Sequence, residues 1–318
     1  MNGLLLALLT PWVTPSEHGS RIVRIPSPRV EAGQEVRSEA VRLRTEYPVK
    51  YITPSFNIER FENAEVRLDI THDNQLTSVV VWPAAPAGTI ELASPARELQ
   101  FVFRIRAVAS PLPAVRLLAV SVASPADPTT GEPEDDAKSK VTPVFAERTL
   151  TAPQERVPPA AEATAFLMRF WAHTMGHPNL RWTPDQVFKA AKGTDNNEAA
   201  AAWAAVPGGV LGTRAYNTHL LGVGQISQWT EESVPVWAHL GDRAARRSVV
   251  ALGFRDDKTV QVLVFGDGSP AERPMPVDEF DREWQKSGRL VTLIYPSPMS
   301  PPGEEYSVDQ WLWSRLDN

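Results

Sequence analysis

An α+β fold is predicted for this chain: an antiparallel β-sandwich over residues 41–124, then a domain over 151–296 in which helices precede an antiparallel sheet. Three observations carry that prediction. From Val41 to Ser124, apolar and polar residues alternate in short runs divided by Pro, Gly or Asn. From Pro158 the pattern changes to apolar residues at helical spacing. After Val234, β-branched apolar runs return between charged turns.

The elements follow in order. Residues 1–40 form an N-terminal arm or weak export signal, with an apolar run from Leu4 to Leu9 and a polar, Pro-containing stretch from Thr14 to Ala40. That run is too short to span a bilayer, and it lacks the basic residues that precede a secretory signal. "AEVRLDITHD", "TSVVVWPA", "LQFVFRIRAV" and "AVRLLAVSVAS" read as strands. "SPADPTTGEPEDDAKSK" opens a linker over 125–150.

In "PPAAEATAFLMRFWAHTMG", Phe166 and Phe170, and Leu167 and Trp171, fall four apart, and Gly176 with Pro178 closes the helix. "TPDQVFKAAKG" offers Thr183 as N-cap, Pro184 at the first helical position and Gly193 as the stop. "NNEAAAAWAAVPGG" is a third helix. The strands "VPVWAHL", "RSVVALGF", "VQVLVF" and "LVTLIYP" follow, with "PVDEFDREWQKSG" as a helix between the last two. Residues 297–318 form a C-terminal tail.

Composition removes several classes of chemistry. The chain has 318 residues, a net charge of −6 and no cysteine. The charge gives no electrostatic reason for a nucleic-acid partner. Without cysteine there are no disulfides, thiolate metal sites or thiol nucleophile.

The series "VPVWAHL", "VVALGFRDDKTVQVLVFGD" and "PVDEFDREWQKSGRLVTLIYP", with the helix "FLMRFW" before it, resembles the bacteriocin-processing-type cysteine peptidases. That resemblance implies a papain-like fold for the second domain. "ITPSFNIERFENAEVRLDI" and "LQFVFRIRAVASPLPAVRLLAVSVAS" resemble the β-domain that precedes the peptidase in some exported members, and the whole covers about residues 45–125 and 150–296.

The resemblance places the nucleophile at Pro159 and the base at Arg247, neither of which can serve. Asp267 occupies the place of the orienting acid, and Gln154 that of a relic oxyanion-hole glutamine. Thr164 falls inside the helix, where a hydroxyl bonds the preceding turn. His239 and His219 are the other histidines considered for the cleft.

Arg246 and Arg247 are candidates for binding a carboxylate or phosphate, or for ordinary ion pairs with Asp242, Asp256 or Asp267. Trp311 and Trp313 in the tail are candidates for docking on the chain's own domain or on a partner. His173 and His177 are four apart, but Gly176 and Pro178 interrupt the helix, so no metal is expected. No cofactor is expected either. "EPEDD" and "GEE" read as solvated acidic runs, and Trp182, Trp203, Trp229 and Trp237 as core.

The expected function is therefore a catalytically inactive peptidase-like protein serving as a binding or structural subunit with an unidentified protein partner. Its expected place is an exported, periplasmic or envelope-associated assembly, with the cytoplasm as the alternative. It has no transmembrane span; peripheral envelope contact fits. Two other readings stay open: a hydrolase with a carboxylate site in the same cleft, and a carbohydrate or cell-wall binding protein with Trp82 on an exposed sheet face.

Overall fold

In a computed structural model of the chain, the residues described are 12–13, 22–83, 88–124, 153, 156–174, 176–191, 200–231, 234–242, 247–256, 258–266 and 270–296. The linker at 125–150, the tail with Trp311 and Trp313, and Gln154, Arg246, Asp267 and Gly193 lie outside them. The architecture is α+β, with two largely antiparallel sheets and five α-helices among the described residues.

The first sheet has eight strands. Six form the order β2 (Ile22–Ile25), β8 (Ala114–Ala123), β4 (Val41–Glu59), β7 (Ile90–Ala107), β5 (Ala64–His72), β6 (Gln75–Trp82). β1 (Trp12–Val13) adds to β4 and β3 (Glu35–Arg37) to β7. The long strands β4 and β7 change partners along their length. β4 pairs with β7 through Val41 to Ile52 and with β8 through Tyr51 to Glu59. Its register shifts against β7 between Arg44 and Tyr51 and against β8 between Asn57 and Ile58, and through these pairings the expected sandwich strands are hydrogen-bonded as one continuous sheet. The segment expected as an arm joins this sheet: Ile22, Val23 and Ile25 are buried, and β2 pairs with β8.

Strand β5 shows why the alternation was readable. Ala64, Val66, Leu68 and Ile70 are buried while Glu65, Arg67 and Asp69 face outward, the period-two pattern of a sheet with one dry face. Burying each large apolar side chain there contributes about 1.5–3 kcal/mol. Strands β4 and β8 differ, because the second half of each is buried on both faces. One face joins the sheet's own core and the other meets the second sheet.

That second sheet runs β13 (Ala271–Pro276), β12 (Thr259–Val264), β11 (Arg247–Asp256), β10 (Val236–Leu240), β14 (Leu290–Pro296), β9 (Thr213–His219). Around it lie α1 (Pro159–Thr174), α2 (Pro184–Ala190), α3 (Ala200–Gly208), α4 (Val223–Glu231) and α5 (Val277–Gln285). α1 is buried over most of its surface, from Ala160 to Trp171, as suits a helix enclosed by other elements. α2 begins as its sequence specifies: Thr183 Oγ1 accepts from the Gln186 N–H, and the Gln186 side chain accepts from the Thr183 N–H. α5 buries Val277, Phe280 and Trp284, at i, i+3 and i+7.

A row of polar side chains joins the two sheets. Strand β9 is an edge, hydrogen-bonded on one side to β14. On its other side, side chains stand where another strand's backbone would be. Asn57 donates to the Ala215 carbonyl (2.6 Å) and accepts from the Ala215 N–H (3.1 Å). Ser55 Oγ accepts from the Asn217 N–H (2.8 Å), and Ser121 Oγ from the His219 N–H (2.8 Å). These groups are buried, so each would be an uncompensated orphan without its partner. Arg116 adds to the junction, donating to the carbonyls of Gly208 (2.7 Å) and Val210 (2.9 Å). Burial lowers its pKa. One apolar cluster runs through both sheets.

Candidate functional site

The first turn of α1, the end of β12 and the start of β11 meet at one end of the second sheet. Pro159 opens α1 and has no N–H to offer. Its Cγ lies 3.6 Å from where a Cβ on Gly266 would stand, and Phe166 packs on Phe265 with ring centroids 5.8 Å apart. β12 is antiparallel to β11, with Val249 opposite Val264, so this end of β12 lies beside the start of β11. Pro159 and Arg247 are thus brought to the same end of the sheet.

Their side chains do not form a catalytic pair. Arg247 is half exposed, and its Nη2 lies 3.7 Å from Glu283 Oε2 on α5. Strand neighbours point to opposite faces, and Ser248 is in register with His239. Arg247 therefore leans onto α5, away from His239 and Ser248. Lys286, Arg247 and Arg282 hold the Glu283 carboxyl below the usual carboxylate range, with Lys286 contributing most. A carboxylate kept ionised in this way is unsuited to general acid chemistry.

Around Pro159 the polar groups are engaged. The Thr164 hydroxyl donates to the Ala160 carbonyl (2.8 Å). Glu162, which is 2% exposed, accepts from the Gly266 N–H through Oε2 (3.2 Å). This carboxylate was not singled out from the sequence. The signal was there: one acid among Ala160, Ala161, Ala163 and Ala165 in the first turns of a buried helix.

Both histidines considered for the cleft are committed elsewhere. His219 Nδ1 lies 2.7 Å from the Gly288 carbonyl, which only accepts, so Nδ1 carries the proton. Its Nε2 is hydrogen-bonded with Thr53 Oγ1 (2.9 Å), across the junction between the sheets. His239 is fully buried and stacked on Trp237 at 4.9 Å. Thr292 Oγ1 donates to Asn217 Oδ1 (2.7 Å), so His239 Nε2 donates to Thr292 Oγ1 (2.8 Å). His219 thus donates through Nδ1 and His239 through Nε2. Ser248 beside His239 is 1% exposed, so this Ser/His juxtaposition is sealed from solvent.

The remaining candidates are placed as follows. Trp82 is fully buried, packed on Phe61 (5.0 Å) and Phe56 (6.5 Å), so it cannot serve as an exposed sugar platform. Trp203, Trp229 and Trp237 are buried and Trp182 is half-buried. His173 is exposed at the end of α1, and His177 caps a short 3-10 turn at Pro178–Leu180. No group of three His, Asp or Glu residues suited to a metal ion occurs among the described residues. No helix among them is long and apolar enough to cross a membrane.

No protein-family model matches the chain, and no curated protein matches it.

Proposed function

We propose that the chain is a non-catalytic binding or structural subunit whose second sheet and helices keep a peptidase-like scaffold. One observation carries the reading. Where the resemblance puts nucleophile and base, the chain has Pro159, without an N–H, and Arg247, engaged by Glu283. A guanidinium cannot take a proton, and the chain has no thiol to present. The hydrogen bonds of His219 and His239 support it further, since the first ring is engaged by Thr53 and Gly288 and the second by Thr292. An exported or envelope-associated setting fits the apolar run from Leu4 to Leu9.

A second reading draws on Glu162. A buried carboxylate in the first turn of α1 is the kind of group that a hydrolase without cysteine would use. Its hydrogen bond to the Gly266 N–H equally suits a purely structural acid. Cleavage profiling on a peptide mixture separates the readings. The subunit reading expects no new termini, and the hydrolase reading expects termini that depend on Glu162.

A further inference from the structure

The edges of the two sheets are protected unequally. β9 is covered by Asn57, Ser55 and Ser121. β13 carries Glu272, Arg273, Pro274 and Pro276, which discourage strand addition. β2 is only four residues long. β6, "QLTSVVVW", has no charge, proline or glycine, and no described strand pairs with its outer side. Gln75 to Ser78 are exposed, and Leu76 is 66% exposed.

The hairpin fixes which backbone groups face outward. β5 and β6 are joined by Asp73 and Asn74, both at positive φ (47° and 60°), with His72 opposite Gln75. In such a two-residue turn the closing pair is hydrogen-bonded, and bonded and non-bonded pairs then alternate. Gln75, Thr77 and Val79 therefore bond inward to β5. The N–H and C=O groups of Leu76, Ser78 and Val80 point away from it, and the register shift comes only after Val80.

We infer that β6 is a self-pairing edge: two copies of the chain join antiparallel about a two-fold axis at Ser78, continuing the eight-stranded sheet into its partner. In this register Ser78 meets Ser78 of the second copy, and Leu76 meets Val80 at both ends. Every residue in those pairs is one whose backbone groups point outward, and each pair exchanges two hydrogen bonds. The exposed Leu76 gains an apolar cross-strand partner. A shift of one residue would oppose inward-bonded groups, and no charge on β6 resists the pairing. Ser78 is already held in place, accepting from Arg104 Nη2 (2.6 Å), which also binds Asp69 (2.9 Å). The contact is independent of the peptidase-like reading.

Sedimentation velocity on the full chain tests this, over a concentration series reaching roughly 1 mM so that a weak pair still registers. The wild type shifts from monomer to dimer. Leu76→Glu with Val80→Glu sets like charges opposite each other across the axis and keeps the chain monomeric; within the fold, the carboxylate introduced at position 80 sits beside Arg67, the cross-strand neighbour of Val80. Leu76→Lys with Val80→Glu restores opposite charges and the dimer. Ser78→Pro removes an outward N–H without touching the bonds to β5, and is also monomeric. Matched urea midpoints establish that the variants fold. A wild type that stays monomeric throughout would overturn the inference. So would a dimer indifferent to the paired glutamates, or a charge-swapped variant that fails to reassociate.

Discussion

Replacing Asn57 with alanine removes both bonds that its side chain makes to Ala215 across the junction. Asn57 is 1% exposed and Ala215 fully buried, so water does not replace what is lost. Two backbone groups become buried orphans at about 1–3 kcal/mol each, which puts the loss at roughly 2–6 kcal/mol. Gly208 gives an independent handle on the same contact. A Cβ there would stand 2.5 Å from Asn57 Nδ2 and 2.7 Å from its Cγ, so Gly208→Ala must push the amide out of position. The two substitutions therefore act on one interaction, and the double variant should be little worse than Asn57→Ala alone. Urea unfolding followed by tryptophan fluorescence measures all three, with an unchanged m-value showing that the unfolded state is comparable. A loss below about 1 kcal/mol for Asn57→Ala, or full additivity in the double variant, would refute the junction as drawn.

Two further outcomes follow from the same structure. Gly288 sits at φ 70°, with a Cβ position 3.2 Å from Tyr51 Cδ2 and 3.3 Å from His219 Nδ1, whereas Gly33 at φ 72° has nothing within 4 Å. Both glycine-to-alanine changes incur the backbone penalty of about 1–2 kcal/mol, and Gly288→Ala should show an extra loss in urea unfolding; equal losses would remove the steric argument. Glu65 is held below its ordinary pKa first by a hydrogen bond from Arg67 and then by one from Arg106. Its contribution is present above the unfolded-state pKa and lost as pH falls through the lower folded-state value. Glu65→Gln should then differ from wild type by a few tenths of a kcal/mol near pH 7 and match it near about pH 2; a difference that persists in acid would count against the pairing.

The sequence was most legible where local chemistry and burial agree. Thr183, Pro184 and Gln186 mark the start of α2 whatever surrounds them. Val249 to Phe254 and Val260 to Val264 are strands in any context that buries them. β9 was missed because "TRAYNTH" has neither apolar alternation nor an apolar run, although all seven residues are buried. Its burial depends on Ser55 and Asn57, some 160 positions earlier. A trace of that contact lay in "ITPSFNI", where Thr53, Ser55 and Asn57 recur every second residue on one face of β4. β13 was hidden by Pro274 and Pro276, which are tolerated because the strand is an edge. At the candidate site, the sequence pointed to Pro159 and Arg247 and the fold places them at one end of the sheet. The direction of Arg247 is set by Glu283, a tertiary contact that the strand pattern does not encode.

The central claim is that this chain binds without cutting. Its most direct test is to incubate the full chain and its Glu162→Gln variant with a complex peptide mixture and read the new termini by mass spectrometry. The account predicts that both give the same profile as buffer. Termini produced by the wild type and lost in the Glu162→Gln variant would contradict it, and would make the buried carboxylate of α1 a working catalytic group.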